Sequence, residues 1–299
     1  MKPIHYAALV LLGAIWGSSF LLIRIAAPDL GPLVLMGGRV SLAFVALFAY
    51  ASLLRKAPDL RKNWAKYLFV GTMNAALPFS LIAWSELTLT SSLAAIINST
   101  TPLFTAVVAA VWINETLTGR KILGIVLGIL GVSILVGGSA LEFNSELVFA
   151  ALASLLAAFC YGIGTVFASR HFTGNAPMHN AIGQLFGATV ALSIPATVTL
   201  PQATFSSGTL LALLLLSLMA TAFAYQLYFF LLNNVGPTRT ATVTFLVPVF
   251  GTLWGVLFLQ EHVTSGMLVG MAVVLTSVGL VTGARFRKQF TRQHEPAAG

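Results

Sequence analysis

Apolar residues along this chain fall into ten runs of about twenty residues each, and short polar segments separate one run from the next. A helix of about 20 apolar residues crosses the hydrocarbon core of a bilayer. The pattern therefore predicts an all-α polytopic membrane protein with ten transmembrane helices. Their predicted bounds are Ile4 to Ile25, Pro32 to Leu54, Trp64 to Trp84, Ser91 to Ile113, Gly119 to Val136, Glu146 to Ala168, Met178 to Thr199, Thr209 to Leu232, Thr238 to Gln260 and Gly266 to Ala284.

The fourth run places polar residues at the depth of the hydrocarbon. Asn98, Ser99, Thr100 and Thr101 lie near its middle and Pro102 follows them. Hydrocarbon offers no hydrogen-bond partners, so these side chains must face protein or a water-filled cavity. The proline removes a backbone donor and clashes with the carbonyl four residues earlier. We therefore predict a kinked helix with a polar face at mid-membrane.

The second half of the chain repeats the first. The aligned pairs are Pro102 with Pro248, Phe104 with Phe250, Glu115 with Glu261, Thr118 with Thr264 and, earlier in each half, Trp16 with Tyr161 and Gly38 with Gly183. This indicates a tandem duplication with five helices in each copy. We predict a first repeat at residues 1–140, a second at 141–286 and a basic tail at 287–299.

The composition excludes a soluble protein. Hydrophobic residues make up 58% of the 299 residues, charged residues only 8%, and the mean hydropathy is +0.92, more apolar surface than a soluble domain can bury. The first run is full length, so we expect a retained helix rather than a removable signal peptide. The single cysteine, Cys160, lies inside the sixth run and can form neither an intrachain disulfide nor a thiolate metal site. No cofactor and no metal are predicted.

The net charge of +8 reflects membrane orientation rather than nucleic-acid binding. With the N-terminus inside, all Lys and Arg except Arg24 and Arg39 fall on the inner side, as the positive-inside rule requires. We expect an integral protein of the bacterial cytoplasmic (inner) membrane with both termini in the cytoplasm. An odd number of helices in each repeat then gives the two repeats opposite orientations, which is a transporter architecture.

These features resemble the EamA domain family of the drug/metabolite transporter superfamily, and within it the YddG-type amino acid exporters. The resemblance rests on GAIWGSSF at 13–20, on the two blocks from Pro102 to Glu115 and from Pro248 to Glu261, and on the glycine-bearing helices that follow them. It implies ten helices in two inverted five-helix repeats. It also implies a central substrate cavity lined mainly by helices one, three, four, six, eight and nine.

Polar and aromatic side chains that recur near one depth on these helices are the candidates for binding substrate. They are Trp16, Ser19, Asn74, Phe79, Asn98, Thr101, Tyr161, Tyr225 and Thr244. For each residue alone, ordinary packing or an interhelical hydrogen bond is an equal alternative. Three prolines, Pro78, Pro102 and Pro248, are the candidate hinges.

Arg39 is the charge that the pattern explains least, because it lies roughly 10 Å inside the outer end of helix two. The favoured interpretation is an ion pair with Glu86 or Asp29; the alternative is direct contact with a substrate carboxylate. Glu86, at the outer end of helix three, is the only carboxylate near the membrane interior, which argues against proton coupling through a core carboxylate. Structural roles at helix ends fit Glu115 and Glu261, and Thr118 and Thr264 are expected to cap the helices that follow.

The cavity chemistry predicts the substrate class. Phosphorylated solutes would need clustered Lys or Arg at mid-depth, and lipophilic cations would need a buried carboxylate there; neither is present. Small neutral or zwitterionic metabolites fit better, above all amino acids including hydrophobic and aromatic ones, carried by alternating access. Export is implied by the resemblance only.

Three alternatives remain open from the sequence. One is a transporter of other small metabolites or drugs, the second is a passive solute channel, and the third, a membrane enzyme, is disfavoured. The five histidines lie at helix ends, in loops or in the tail, so no catalytic cluster is visible. We expect no enzyme activity and no nucleic-acid partner. A small-molecule substrate and the lipid bilayer are the expected partners, with a monomer sufficient and a homodimer possible.

Overall fold

The computed structural model of the protein describes residues 1–139, 141 and 144–283. Within this part of the chain all regular structure is helical. Ten helical spans follow one another: α1 Pro3–Leu30, α2 Pro32–Leu53, α3 Trp64–Ser85, α4 Ser91–Ile113, α5 Gly119–Gly137, α6 Ser145–His171, α7 Pro177–Thr199, α8 Ser207–Val235, α9 Val243–Leu259 and α10 Ser265–Thr282. The predicted tail at 287–299 and the predicted end of helix ten at Ala284 lie outside the described residues.

Nine of the ten spans in the described chain are long and apolar enough to cross a membrane; α9, with 17 residues, is slightly shorter. A four-residue helix, Pro237–Thr240, precedes α9. The prediction of an all-α polytopic membrane protein is therefore confirmed. Large apolar side chains left exposed on the outside of the bundle, such as Ile129 and Val198, have the lipid as their solvent.

Contacts between loops show how the spans alternate. Thr204 N–H, after α7, donates to the carbonyl of Asp29 at the end of α1. Thr264 Oγ1, after α9, donates to the carbonyl of Gly138, after α5. The ends of four odd-numbered spans therefore lie, in two pairs, at one end of the bundle. At the other end the His179 ring contacts the carbonyl of Lys56 at 2.9 Å. We call the end that holds the N-terminus the N-terminal face and the other the far face. Because α1 starts at the N-terminal face and α6 at the far face, the two five-helix repeats run in opposite directions.

Proline and π-helical turns interrupt the spans that line the centre. α4 is broken after Asn98 and resumes at Thr101, just before Pro102. α3 contains a π-helical segment at Thr72–Ala76, which ends two residues before Pro78, and α8 contains one at Leu215–Phe223. Such turns concentrate at functional sites, because they shift side chains out of the regular helical register.

Glycines bring the spans of opposite repeats into close contact. A Cβ placed on Gly17 of α1 would lie 2.7 Å from Phe250 Cβ and 2.8 Å from the backbone nitrogen of Gly251, so α1 and α9 touch through their backbones at this point. In lipid, van der Waals contact of this kind drives helix association. α5 and α10 pack on each other in the same way through Gly131 and Val274.

Candidate functional site

A cavity of about 630 Å³ lies at the centre of the bundle, between the two repeats. Six of the spans that line it are those implied by the family resemblance, namely α1, α3, α4, α6, α8 and α9. Two more contribute: α2 through Arg39, and α7 through Asn180, Ala181 and Gln184. The volume falls in the range of small-molecule sites, roughly 300–1,000 Å³.

The structure brings all nine predicted substrate-binding residues to the wall of this one cavity. They are Trp16, Ser19, Asn74, Phe79, Asn98, Thr101, Tyr161, Tyr225 and Thr244. Among the predicted hinges, Pro102 lines the cavity, whereas Pro78 and Pro248 are buried behind it.

A chain of polar side chains crosses the cavity wall. Asn74 Nδ2 donates to Gln184 Oε1 at 3.2 Å, and Gln184 Nε2 donates to the hydroxyl of Tyr225 at 2.9 Å. The chain links α3, α7 and α8, and therefore links both repeats. Sequence reasoning missed Gln184, although an uncharged amide in the middle of a predicted transmembrane run is the signal that could have found it.

Aromatic rings form the other part of the wall. The rings of Trp16 and Tyr228 lie 5.8 Å apart, and those of Phe79 and Tyr161 lie 6.3 Å apart in an edge arrangement. Aromatic walls with a few polar tips suit a solute with an apolar body and polar ends.

The kink in α4 satisfies its own backbone. The hydroxyl of Thr101 donates to the carbonyl of Asn98 at 2.8 Å, which is the carbonyl that Pro102 frees. The side-chain oxygen of Asn98 has no hydrogen-bond partner among the described residues. The hydroxyl of Thr244 donates to the carbonyl of Ala241 at 2.8 Å, just before α9. The backbone carbonyl at the kink therefore has a partner without any ligand, whereas the side-chain oxygen of Asn98 remains a free acceptor among the described residues.

The favoured ion pair of Arg39 is not formed. Arg39 Nε donates instead to Thr221 Oγ1 at 3.0 Å. Glu86 is fully buried, and neither carboxylate oxygen has a hydrogen-bond partner among the described residues. Asp29 is exposed in the last turn of α1. The reason is geometric: Glu86 follows the last residue of α3 at the far face, where its carbonyl accepts from Arg24, and Arg39 turns toward α8.

Among the described residues, the cavity lining extends to one face of the bundle. Its lining includes Pro177, the first residue of α7, and Leu232 near the end of α8, both at the N-terminal face. Toward the far face the spans close. There the Glu261 carboxylate, after α9, accepts hydrogen bonds from the N–H groups of Ser91 and Ser92 at 2.7 and 3.0 Å.

Within the described chain, no three His, Cys, Asp or Glu residues come together as a metal site. A membrane-spanning bundle of inverted halves around a solute-sized cavity that opens to one face has the architecture of a membrane transporter.

The comparison with protein families agrees. The EamA-like transporter family matches residues 4–137 and 148–283, and the chain belongs to this family. It is an integral membrane transporter of the drug/metabolite transporter superfamily.

Curated relatives match along nearly their whole length. The chain is 28% identical over 291 residues to a "Probable amino-acid metabolite efflux pump" of Escherichia coli (strain K12), covering 93% of this chain and 95% of the relative. It is 24% identical to the uncharacterized transporter YoaV of Bacillus subtilis (strain 168), covering 90% and 93%. It is also 28% identical to YedA of Escherichia coli (strain K12), named an uncharacterized inner membrane transporter, covering 94% and 91%. These names describe transporters rather than enzymes.

A solved crystal structure shares the fold. It has a TM-score of 0.66 and 17% sequence identity, and the match covers 97% of this chain and 100% of that chain.

Proposed function

We propose that this protein exports small neutral or zwitterionic metabolites, with amino acids, including hydrophobic and aromatic ones, as its main substrates. The observation that carries the proposal is a central cavity whose wall combines aromatic rings with uncharged polar groups contributed by both repeats. The similarity to the probable amino-acid metabolite efflux pump of Escherichia coli, at 28% identity, supports the substrate class and the direction.

The proposed mechanism is alternating access. The cavity reaches the N-terminal face, and the far face is held by the Glu261 carboxylate through its hydrogen bonds to the start of α4. In an inverted-repeat transporter the two halves exchange shapes, which closes the first face and opens the second. The hinges in this mechanism are the break in α4 before Pro102, Pro248 inside α9, and Pro78 beside the π-helical segment of α3.

The orientation of the chain in the membrane decides which compartment the open cavity faces. With both termini in the cytoplasm of a bacterial cell, the conformation seen here is open to the cytoplasm and is the state that loads substrate for export. In this account the repeats comprise residues 1–140 and 141–286, the basic tail is cytoplasmic, and one chain is sufficient for transport.

The test is uptake of radiolabelled neutral amino acids into liposomes that contain the purified protein, with and without an opposing load of unlabelled amino acid. The variants are Asn98→Ala and Thr244→Ala, one from each repeat. Ser193→Ala is the matched control, since this exposed hydroxyl is bonded to its own helix on α7. We expect saturable uptake that the opposing load accelerates and that either cavity variant weakens.

Two outcomes would contradict the proposal. Unsaturable flux that ignores the opposing load and both cavity variants would indicate a passive channel. Transport of other small metabolites with no amino acid carried would leave the carrier mechanism and remove the proposed substrates.

A further inference from the structure

Arg39 is the only charged side chain that lines the cavity within the described chain. It lies seven residues into α2, and only 5% of its surface is exposed. A guanidinium at this depth is costly unless an anion or strong hydrogen bonds compensate it. Its surroundings therefore indicate what compensates it.

Two contacts fix the orientation of the guanidinium. Nε donates to the Thr221 hydroxyl at 3.0 Å, and the central carbon Cζ lies 4.1 Å from the centre of the Phe79 ring. The Thr221 hydroxyl in turn donates to the carbonyl of Leu216, five residues earlier, at 2.8 Å. That spacing belongs to the π-helical segment of α8. The π-helical segment thus positions the Thr221 hydroxyl, and this hydroxyl in turn positions Arg39.

Within the described chain, no carboxylate lies within ion-pair distance of Arg39. The one ion pair found there joins Lys121 to Glu115 at a different place in the bundle. Glu86 is buried in the same region but forms no ion pair with Arg39, and among the described residues no Asp or Glu lines the cavity. Nε is engaged with Thr221, so the two terminal nitrogens remain available, and their fork matches the two oxygens of a carboxylate.

We propose that Arg39 anchors the carboxylate of the transported solute, so that the substrate must carry a carboxylate but need not carry an amino group. This inference rests on the function proposed above: it makes the carboxylate of the amino acid the required group, and it extends the substrates to monocarboxylates that have an apolar body and no amino group. An ammonium group finds no acidic side chain in the lining, only neutral acceptors such as the hydroxyl of Tyr161. Amines without a carboxylate meet an uncompensated positive charge and are excluded.

Binding to the purified protein tests the inference with three related probes. Phenylalanine carries both groups, 3-phenylpropionate lacks the amine, and phenethylamine lacks the carboxylate. We expect 3-phenylpropionate to bind within about tenfold of phenylalanine, and phenethylamine to bind about a hundredfold more weakly, since a paired carboxylate is worth that factor. Competition of the same probes against radiolabelled phenylalanine in liposomes should give the same order.

Variants of Arg39 separate anchoring from a structural role. Arg39→Gln should abolish the preference for 3-phenylpropionate over phenethylamine, whereas Arg39→Lys, which keeps the charge without the fork, should retain part of it. Arg24→Gln is the matched control, because Arg24 bonds the Glu86 carbonyl outside the cavity lining and should leave the preference unchanged.

Thr221→Val keeps the charge and removes its orienting acceptor. It should weaken carboxylate binding about five- to tenfold, as expected for the loss of one hydrogen bond to a charged group. If Arg39→Gln does not give folded protein, Arg39→Lys and Thr221→Val carry the test.

The inference is overturned if phenethylamine binds wild type as well as 3-phenylpropionate does, or if Arg39→Gln keeps the carboxylate preference. If amino acids are transported and either of these results is found, Arg39 does not anchor the carboxylate, but the proposed function still holds. Carboxylate-selective binding that requires Arg39, with no amino acid transported, would sink the proposed function and leave the anchor.

Discussion

The turn after α4 and the turn after α9 have nearly the same backbone but different partners. Each contains a left-handed residue, Asn114 with φ 55° and Gln260 with φ 54°, and a glutamate follows each of them. The Glu261 carboxylate accepts from Ser91 N–H, Ser92 N–H and, at 2.5 Å, the Ser92 hydroxyl.

The Glu115 carboxylate has no such role. It pairs with Lys121 at 2.5 Å, and its side chain is 50% exposed. A carboxylate at a helix N-terminus interacts favourably with the free N–H groups and the helix dipole, whereas an exposed ion pair contributes little. Two equivalent turns of the repeat therefore hold the two faces differently. The Glu261 carboxylate closes the far face by bonding the start of α4, and we call this contact the latch of the far face. Glu115 forms no equivalent contact at the N-terminal face.

The residues that Glu115 would reach in the opposite conformation also differ from those that Glu261 binds. Under the repeat alignment, Ser91 and Ser92 correspond to Pro237 and Thr238. A proline has no N–H, so the site that Glu115 would reach when the N-terminal face closes offers one donor fewer. The latch at the far face is therefore expected to be the stronger of the two, which favours the conformation seen here.

The largest expected effect comes from Glu261→Gln, which places an amide donor against backbone donors. Hydrogen bonds to charged groups contribute about 1.5–3 kcal/mol each, so amide hydrogen exchange at Ser91 and Ser92 should accelerate at least about tenfold. Mass spectrometry of the peptides that span these residues measures it. Glu115→Gln is the control and should leave this exchange unchanged; equal acceleration in both variants would refute the asymmetry.

The second largest effect is expected from alanine substitution at Gly17, compared with its repeat equivalent Gly162. A Cβ on Gly17 would lie 2.7 Å from Phe250 Cβ, whereas one on Gly162 would come no closer than 3.0 Å to the backbone of Phe104. Gly17→Ala should therefore lower the free energy of unfolding by about 1–3 kcal/mol. At Gly162 the better helix propensity of alanine should offset most of the cost. Thermal unfolding in detergent measures both variants, and an equal loss would show that the two contacts are equally tight.

Much of the site was predictable because the repeat makes each signal appear twice. Asn98 and Pro102 in an apolar run indicated a cavity, and the structure places them and the eight other predicted binding residues around one space. The predicted caps are confirmed: Thr118 Oγ1 accepts from Lys121 N–H, and Thr264 Oγ1 accepts from Met267 N–H.

The remaining features depend on contacts that pattern alone does not encode. The π-helical segments in α3 and α8 shift register in response to packing, and with them the partner of Arg39, which is Thr221 and not Glu86. The choice of open face is also hard to predict from the two turns, because both carry a left-handed residue followed by glutamate. The partners of the two glutamates, which set the small free-energy difference between the faces, become visible only in the structure.

Pro237→Ala should strengthen the weaker latch by restoring the missing donor. The expected shift toward closure of the N-terminal face is about threefold to tenfold, the value of one hydrogen bond. Labelling of Asn180→Cys, a cavity position at that face, by a thiol reagent should slow by that factor. A rate equal to that of the unaltered chain would show that Glu115 does not use this site.

Lys121→Ala should have the smallest effect. It frees Glu115 from an exposed ion pair of about 0–1 kcal/mol, so the same labelling rate should change less than about threefold. A larger change would mean that the Lys121 pair, and not the Pro237 site, holds the N-terminal face open.

The central claim is that the two faces open in alternation, and paired spin labels test it most directly. Leu87→Cys with His262→Cys spans the far face, and Thr116→Cys with Asn233→Cys is the equivalent pair at the N-terminal face; all four positions are exposed. In a Cys160→Ser background, pulsed electron resonance should give a short distance at the far face and a long one at the N-terminal face. Added amino acid should change the two populations in opposite directions. Distances that stay fixed, or that lengthen together at both faces, would contradict the account.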